Sequence, residues 1–153
     1  MNKKSISVIL LIIFSITIIF TTANILINDN TPLENQAGTL KINNKTIHYE
    51  KSGKCLEVID GNTIKVYGIG KVQLTQVGSP SSEAKDFVEN NCLGKTVYLD
   101  IDDKKVEDEY GRALAIVYTD TVDVNKELIN NNLSEISYFT PSEFKKGDRS
   151  DQI

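Results

Sequence analysis

Apolar positions in this chain follow two patterns. From Ile6 to Ile27 the sequence carries no charge and is mostly Ile, Leu, Val and Phe. As a helix at ~1.5 Å per residue, that run is roughly 33 Å long, enough to cross a bilayer. A buried core helix would show a polar face, and this segment shows none. After a polar, Pro32-containing stretch, the apolar residues alternate in short groups separated by turn residues. Leu40, Ile42, Ile47 and Tyr49 flank Asn43-Asn44. Asparagine tolerates positive φ, so residues 39–50 are expected to form a hairpin. Strands are expected over Cys55–Ile59, Thr63–Tyr67 and Lys71–Val77, with turns at Asp60-Gly61 and Gly68-Ile69-Gly70. Ser79-Pro80-Ser81-Ser82 then opens a helix with Glu83 in its first turn, where a negative charge suits the dipole. Ala84, Phe87, Val88 and Cys92 form its apolar face, and Leu93-Gly94 ends it. Further strands are expected over Thr96–Ile101 and Leu114–Tyr118, joined by the charged loop Asp102–Tyr110. A second helix starts at Asn125 and ends at Asn132. Three strands, a helix, two strands and a helix is the order of a five-stranded OB-fold: a β-barrel with helices (α+β), here preceded by an N-terminal hydrophobic helix.

Charge and composition refine this picture. The chain has 153 residues, room for one domain. Residues 1–28 read as a signal anchor or signal peptide with a transmembrane helix at about 6–27, residues 29–38 as a linker, 39–140 as the domain, and 141–153 as a short tail expected to fray. Lys3 and Lys4 precede the apolar run and favour a cytoplasmic N-terminus, which puts the domain outside. Two readings stay open: an uncleaved anchor, or a signal peptide cleaved near Thr21 and Ala23, leaving the domain secreted. The net charge is −4, and every acidic residue lies at or beyond Asp29, so the exported part is the more acidic. Long-range repulsion therefore disfavours strong nonspecific nucleic-acid binding, though a local basic patch is compatible with it. Two cysteines, Cys55 and Cys92, outside a membrane are expected to form a disulfide; two buried free thiols are the other reading. One histidine, His48, leaves no Cys/His metal cluster. Asn44-Lys45-Thr46 and Asn132-Leu133-Ser134 match the glycosylation sequon, a pattern frequent by chance.

Four segments in order resemble the thermonuclease (staphylococcal-nuclease-like) family. They are Val58-Ile59-Asp60-Gly61-Asn62-Thr63; Val72-Gln73-Leu74 with Gly78-Ser79-Pro80; Asp108-Glu109-Tyr110-Gly111-Arg112-Ala113-Leu114-Ala115; and Val124-Asn125 with Leu128-Ile129. The resemblance covers about residues 54–140 and implies an OB barrel. Its activity would be calcium-dependent hydrolysis of phosphodiesters in DNA and RNA. Such chemistry needs carboxylates for the hard cation, a carboxylate to activate water, and arginines for the phosphate. Position by position, the implied metal carboxylates fall on Asn62 and Gly78, the general base on Ser81, and the phosphate arginines on Gln73 and Arg112. Only Arg112 keeps the family's residue type. With the calcium ligands replaced, no metal and no other cofactor is expected. Losing a general base costs roughly 10²–10⁴ in rate and losing a charge-stabilising donor roughly 10²–10³, so hydrolysis by this route is expected to be nearly abolished.

Several residues carry a functional and a structural reading side by side. Arg112 is either a phosphate contact or a structural arginine paired with a loop carboxylate. Tyr110 and Tyr138 are either nucleotide-stacking faces or packing at the barrel edge. Glu83 is either a displaced base or an exposed first-turn glutamate. The acidic stretch from Asp100 to Glu109 is either a calcium site or a solvated loop. In the family fold the first helix packs near the first strand, which makes a Cys55–Cys92 bridge plausible. Three functions follow: a catalytically impaired module binding an unknown protein or nucleic acid at the cleft, a weak metal-dependent nuclease, or a structural cell-surface domain. The membrane is a partner through the N-terminal segment where that segment stays uncleaved.

Overall fold

A computed structural model describes residues 36–145. The N-terminal hydrophobic helix expected over about 6–27, most of the expected linker and the end of the tail lie outside those residues. Among the described residues, no helix is long and apolar enough to cross a membrane.

Nine elements follow one another: β1 (Gly38–Ile42), β2 (Lys45–Tyr49), β3 (Lys51–Asp60), β4 (Thr63–Val66), β5 (Gly70–Leu74), α1 (Ser82–Cys92), β6 (Thr96–Ile101), β7 (Ala113–Tyr118) and α2 (Val124–Asn130). Strands β3-β4-β5-β7-β6 close a barrel, and β1-β2 form a separate hairpin. All pairings are antiparallel except β5 with β7. The five-stranded OB barrel with a helix after its third strand is thus present, and β6 has the bounds its alternation predicts. Asn43 (φ 48°) and Asn44 (φ 64°) both adopt the left-handed conformation that a two-residue hairpin turn requires.

One strand is longer than its apolar pattern. β3 begins at Lys51 rather than Cys55. Its first half, Lys51–Lys54, pairs with β6, and its second half pairs with β4 across register shifts at Cys55/Glu57 and Val58/Asp60. Those bulges bend the strand so that one segment serves two neighbours. Gly53 sits where β3 passes close to the end of β4: a Cβ there would lie 2.7 Å from Tyr67 O and 2.9 Å from Val66 Cγ1. Polar and small residues make this half of the strand, so hydrophobic periodicity passes over it.

Strand β7 separates two cores. Ala115 and Val117 face the barrel interior with Val72, Leu74, Val97 and Leu99, and α1 and α2 cap that interior with Ala84, Val88, Val124 and Leu128. Ile116 and Tyr118 face the other way, into a cluster with Ile42 and Phe144. A strand covered on both faces shows no alternation. Phe144 and Ser142 are buried, so residues 141–145 pack on the barrel instead of fraying.

Two buried polar side chains hold loops to this frame. Asn125 is fully buried; its Nδ2 donates to Thr75 O (2.8 Å) and Ala115 O (3.2 Å), and its Oδ1 accepts from Val117 N (2.9 Å). Asp102 is equally buried. Its carboxylate accepts from the N–H groups of Lys104 (3.0 Å), Lys105 (3.3 Å) and Glu143 (3.1 Å), and from the Ser142 hydroxyl. The acidic stretch is therefore not uniformly solvated: its one buried carboxylate orders the loop and clamps the tail.

The expected Cys55–Cys92 disulfide is not formed; both are free, buried thiols. The Cys55 thiol donates to Glu57 O at 3.7 Å. Burial pushes Cys55 up from 9.0 to about 11, and burial together with neighbouring Cys55 pushes Cys92 to about 12. Disulfide exchange needs the thiolate, which this environment suppresses. Because both folded values exceed the unfolded one, the thiols favour the fold below about pH 9, and that contribution is lost as pH rises. Neither cysteine is expected to react with a thiol reagent at pH 8 until denaturant is added. Rapid labelling of either residue in the native protein contradicts this burial.

Candidate active site

The turn between β3 and β4 faces the exit of β5, and three of the five sequence-selected positions meet there. Asn62 Nδ2 donates to Val77 O at 3.0 Å. The Thr63 hydroxyl accepts from Arg112 Nη1 at 3.2 Å, and Asn62 Oδ1 and Gln73 Oε1 both lie 3.2 Å from it as acceptors. Arg112 Nε also donates to Asp108 Oδ2 at 2.7 Å. Asn62, Thr63, Gln73, Arg112 and Asp108 thus form one linked set of hydrogen bonds. Its polar atoms are directed at one another.

Gly78 and Ser81 lie at the edge of this set, on a segment laced to residues 133–137. Gly78 N donates to Glu135 O (2.9 Å), Ser81 N to Leu133 O (2.8 Å) and Ser137 N to Gln76 O (3.0 Å). The Ser134 hydroxyl donates to Gly78 O. A Cβ on Gly78 would meet Ser137 Cβ at 2.8 Å and Glu135 O at 3.4 Å, so no side chain fits without displacing that segment. Glu83 is exposed in the first turn of α1. Its own backbone N–H is the largest influence holding its carboxyl below the ordinary range. That is the behaviour of a helix-start glutamate, and a depressed carboxyl is a poor proton acceptor.

Arg112 is engaged by the loop that carries it. Asp108 Oδ1 accepts from the N–H groups of Tyr110 (2.9 Å) and Arg112 (3.0 Å), while Oδ2 takes the guanidinium. Burial alone raises the Asp108 carboxyl, but the Arg112 N–H and guanidinium and the Tyr110 N–H outweigh it and hold it low. Tyr110 lies over this arginine, with Arg112 Cζ 5.3 Å from its ring centroid, and is 74% exposed. These residues border a cleft of about 390 Å³, lined also by Gln73, Lys105, Glu109 and Phe139. Tyr110 thus borders the cleft, whereas Tyr138 does not line it; its neighbour Phe139 does. A larger groove of about 890 Å³ between the hairpin and the two helices shares no residue with it.

A sequence model of the family described as staphylococcal nuclease homologue matches residues 65–152. The chain belongs to this family. It is similar to a thermonuclease of Staphylococcus hyicus, 30% identical over 118 residues, which is 67% of this chain and 69% of that protein. An uncharacterized protein of Bacillus anthracis is 32% identical over 106 residues, 59% of this chain and 50% of that protein. The strand-turn-strand segment Val58–Thr63 precedes the residues that the family model matches, so the assignment of Asn62 rests on the resemblance of that segment.

Staphylococcal nuclease homologues are implied to hold calcium at the positions of Asn62 and Gly78, and the donors here do not fit it. A hard divalent cation takes six to eight oxygens, several of them anionic. At position 62 a neutral amide offers one uncharged oxygen, 3.2 Å from the Thr63 hydroxyl, and at position 78 there is neither a side-chain oxygen nor space for a side chain. Among the described residues, no group of three His, Cys, Asp or Glu side chains converges. Sequence reasoning missed Asp102, Asn125 and Lys105. Only the Val-Asn of the second helix gave any signal, and it was a signal for the fold.

Asp108→Asn keeps the shape and removes the charge that binds Arg112. Urea unfolding at pH 7 is expected to show a loss of about 1.5–3 kcal/mol. A depressed carboxyl stabilises above its unfolded pKa and loses that contribution as pH falls through its folded value. The gap between wild type and variant is therefore expected to close in acid; a gap independent of pH contradicts the ion pair.

Proposed function

We propose that this domain has exchanged hydrolysis for binding, and that its cleft takes single-stranded nucleic acid. The observation that carries the first half is the packing at Gly78: the site of an implied metal ligand is occupied by Ser137 and the backbone of Glu135. Asn62, Gln73 and Ser81 point the same way, since neutral groups stand where the chemistry needs charges. For the second half, support comes from the cleft itself. Tyr110 and Phe139 offer aromatic faces on which any base can stack, and Arg112 and Lys105 lie over those rings. The acidic balance of the chain makes such binding local and salt-sensitive.

The uncharged run from Ile6 to Ile27 behind Lys3 and Lys4 supports a domain held outside a membrane, or released from it, and meeting its ligand there.

Purified protein incubated with DNA and RNA in Ca²⁺, Mg²⁺ or Mn²⁺ is expected to leave both uncut. An Arg112→Ala control guards against contamination. Cleavage that is metal-dependent and lost in the control would reinstate the enzyme.

A further inference from the structure

Among the described residues, Lys105 and Arg112 are the cations that line the cleft, and they differ in how they are engaged. Arg112 is committed: its Nε meets Asp108 at 2.7 Å and its Nη1 meets Thr63 at 3.2 Å. A carboxylate already neutralises its charge at close range. Lys105 lines the same cleft, and its Nζ lies 5.1 Å from the centroid of the Phe139 ring. Among the described residues its ammonium has no carboxylate partner within salt-bridge distance. A cation resting only on an aromatic face keeps donors for an incoming anion.

Backbone, not chance, sets its position. Lys105 N–H donates to Asp102 O (3.1 Å) and to Asp102 Oδ1 (3.3 Å), and Asp102 is fully buried and tied to Ser142 and Glu143. The lysine therefore projects from an ordered turn. Its half-buried stem and the Phe139 ring make one wall of the cleft, with Tyr110 at another.

We infer that Lys105 is the phosphate-binding cation of this cleft, replacing the positive charge absent at Gln73, while Arg112 holds the loop in place. This rests on the single-stranded nucleic-acid reading above. A base stacked on Phe139 or Tyr110 brings its phosphodiester within reach of a flexible ammonium. Glu109 lines the cleft too, so the net attraction is small and one lysine weighs heavily.

The test is fluorescence anisotropy of a labelled oligothymidine, titrated with the whole chain in detergent across a sodium chloride series. Lys105→Ala, Lys105→Arg and, from the separate groove, Lys126→Ala are compared with wild type. One lost phosphate contact lowers the slope of log K against log salt by about 0.7, or affinity by roughly five- to tenfold at about 0.05 M salt. Lys105→Ala is expected to show that loss with an unchanged melting temperature. Lys105→Arg restores the slope, and Lys126→Ala matches wild type. If wild type binds and Lys105→Ala keeps its slope and affinity, the inference is overturned while the cleft reading stands. If wild type itself does not bind, the cleft reading fails and takes the inference with it.

Discussion

The hydrogen bond from Asn62 Nδ2 to Val77 O, at 3.0 Å, ties the β3–β4 turn to the exit of β5. Around it Thr63, Gln73, Arg112 and Asp108 complete one linked set of hydrogen bonds. Two carboxylates at positions 62 and 78 would repel each other and need a cation between them. An amide and a glycine need none. Each neutral bond contributes only about 0.5–1.5 kcal/mol net, yet breaking one inside a half-buried site costs more than that. The cleft is thereby stable without an ion.

Around that cleft the barrel and its loops have separate supports. Closure depends on the bulged β3 reaching both β6 and β4, and on parallel pairing of β5 with β7. Asn125 links α2 to Thr75 and β7, close to where β5 leaves the barrel. Asp102 links the 102–105 turn to the tail. Gln76, at φ 62°, adds bonds from Nε2 to Phe144 O (3.1 Å) and Lys145 O (3.3 Å). These bonds do not involve the side chains of Asn62, Gln73 or Ser81, so the residues at those positions can differ while the fold persists.

Much of the fold is legible in the chain because it is written in alternation and turn chemistry. Val97, Leu99 and Ile101 mark β6, Asn43-Asn44 marks the hairpin, and Asn132, at φ 55°, closes α2 as its residue type suggests. What was hidden is polar or small. Lys51-Ser52-Gly53-Lys54 reads as a loop, yet Ser52 and Gly53 are buried. Asp102 sits among charged residues and looks solvated until Ser142 and Glu143 are seen to close over it. The site divides in the same way. Replacement of Asn62, Gln73, Gly78 and Ser81 is visible in one dimension; the choice between Arg112 and Lys105 is not, because it depends on where Asp108 and Phe139 fall in space. The two cysteines misled because composition suggests a bridge, whereas the fold buries both as free thiols.

The claim under all of this is that the cleft has no affinity for a divalent cation. Amide chemical shifts of the isotope-labelled protein, followed during a calcium titration to millimolar concentrations, test it most directly. Asn62, Gly78 and Ser81 should not move in a saturable way. A saturable shift confined to those residues would place an ion in the cleft and contradict the account.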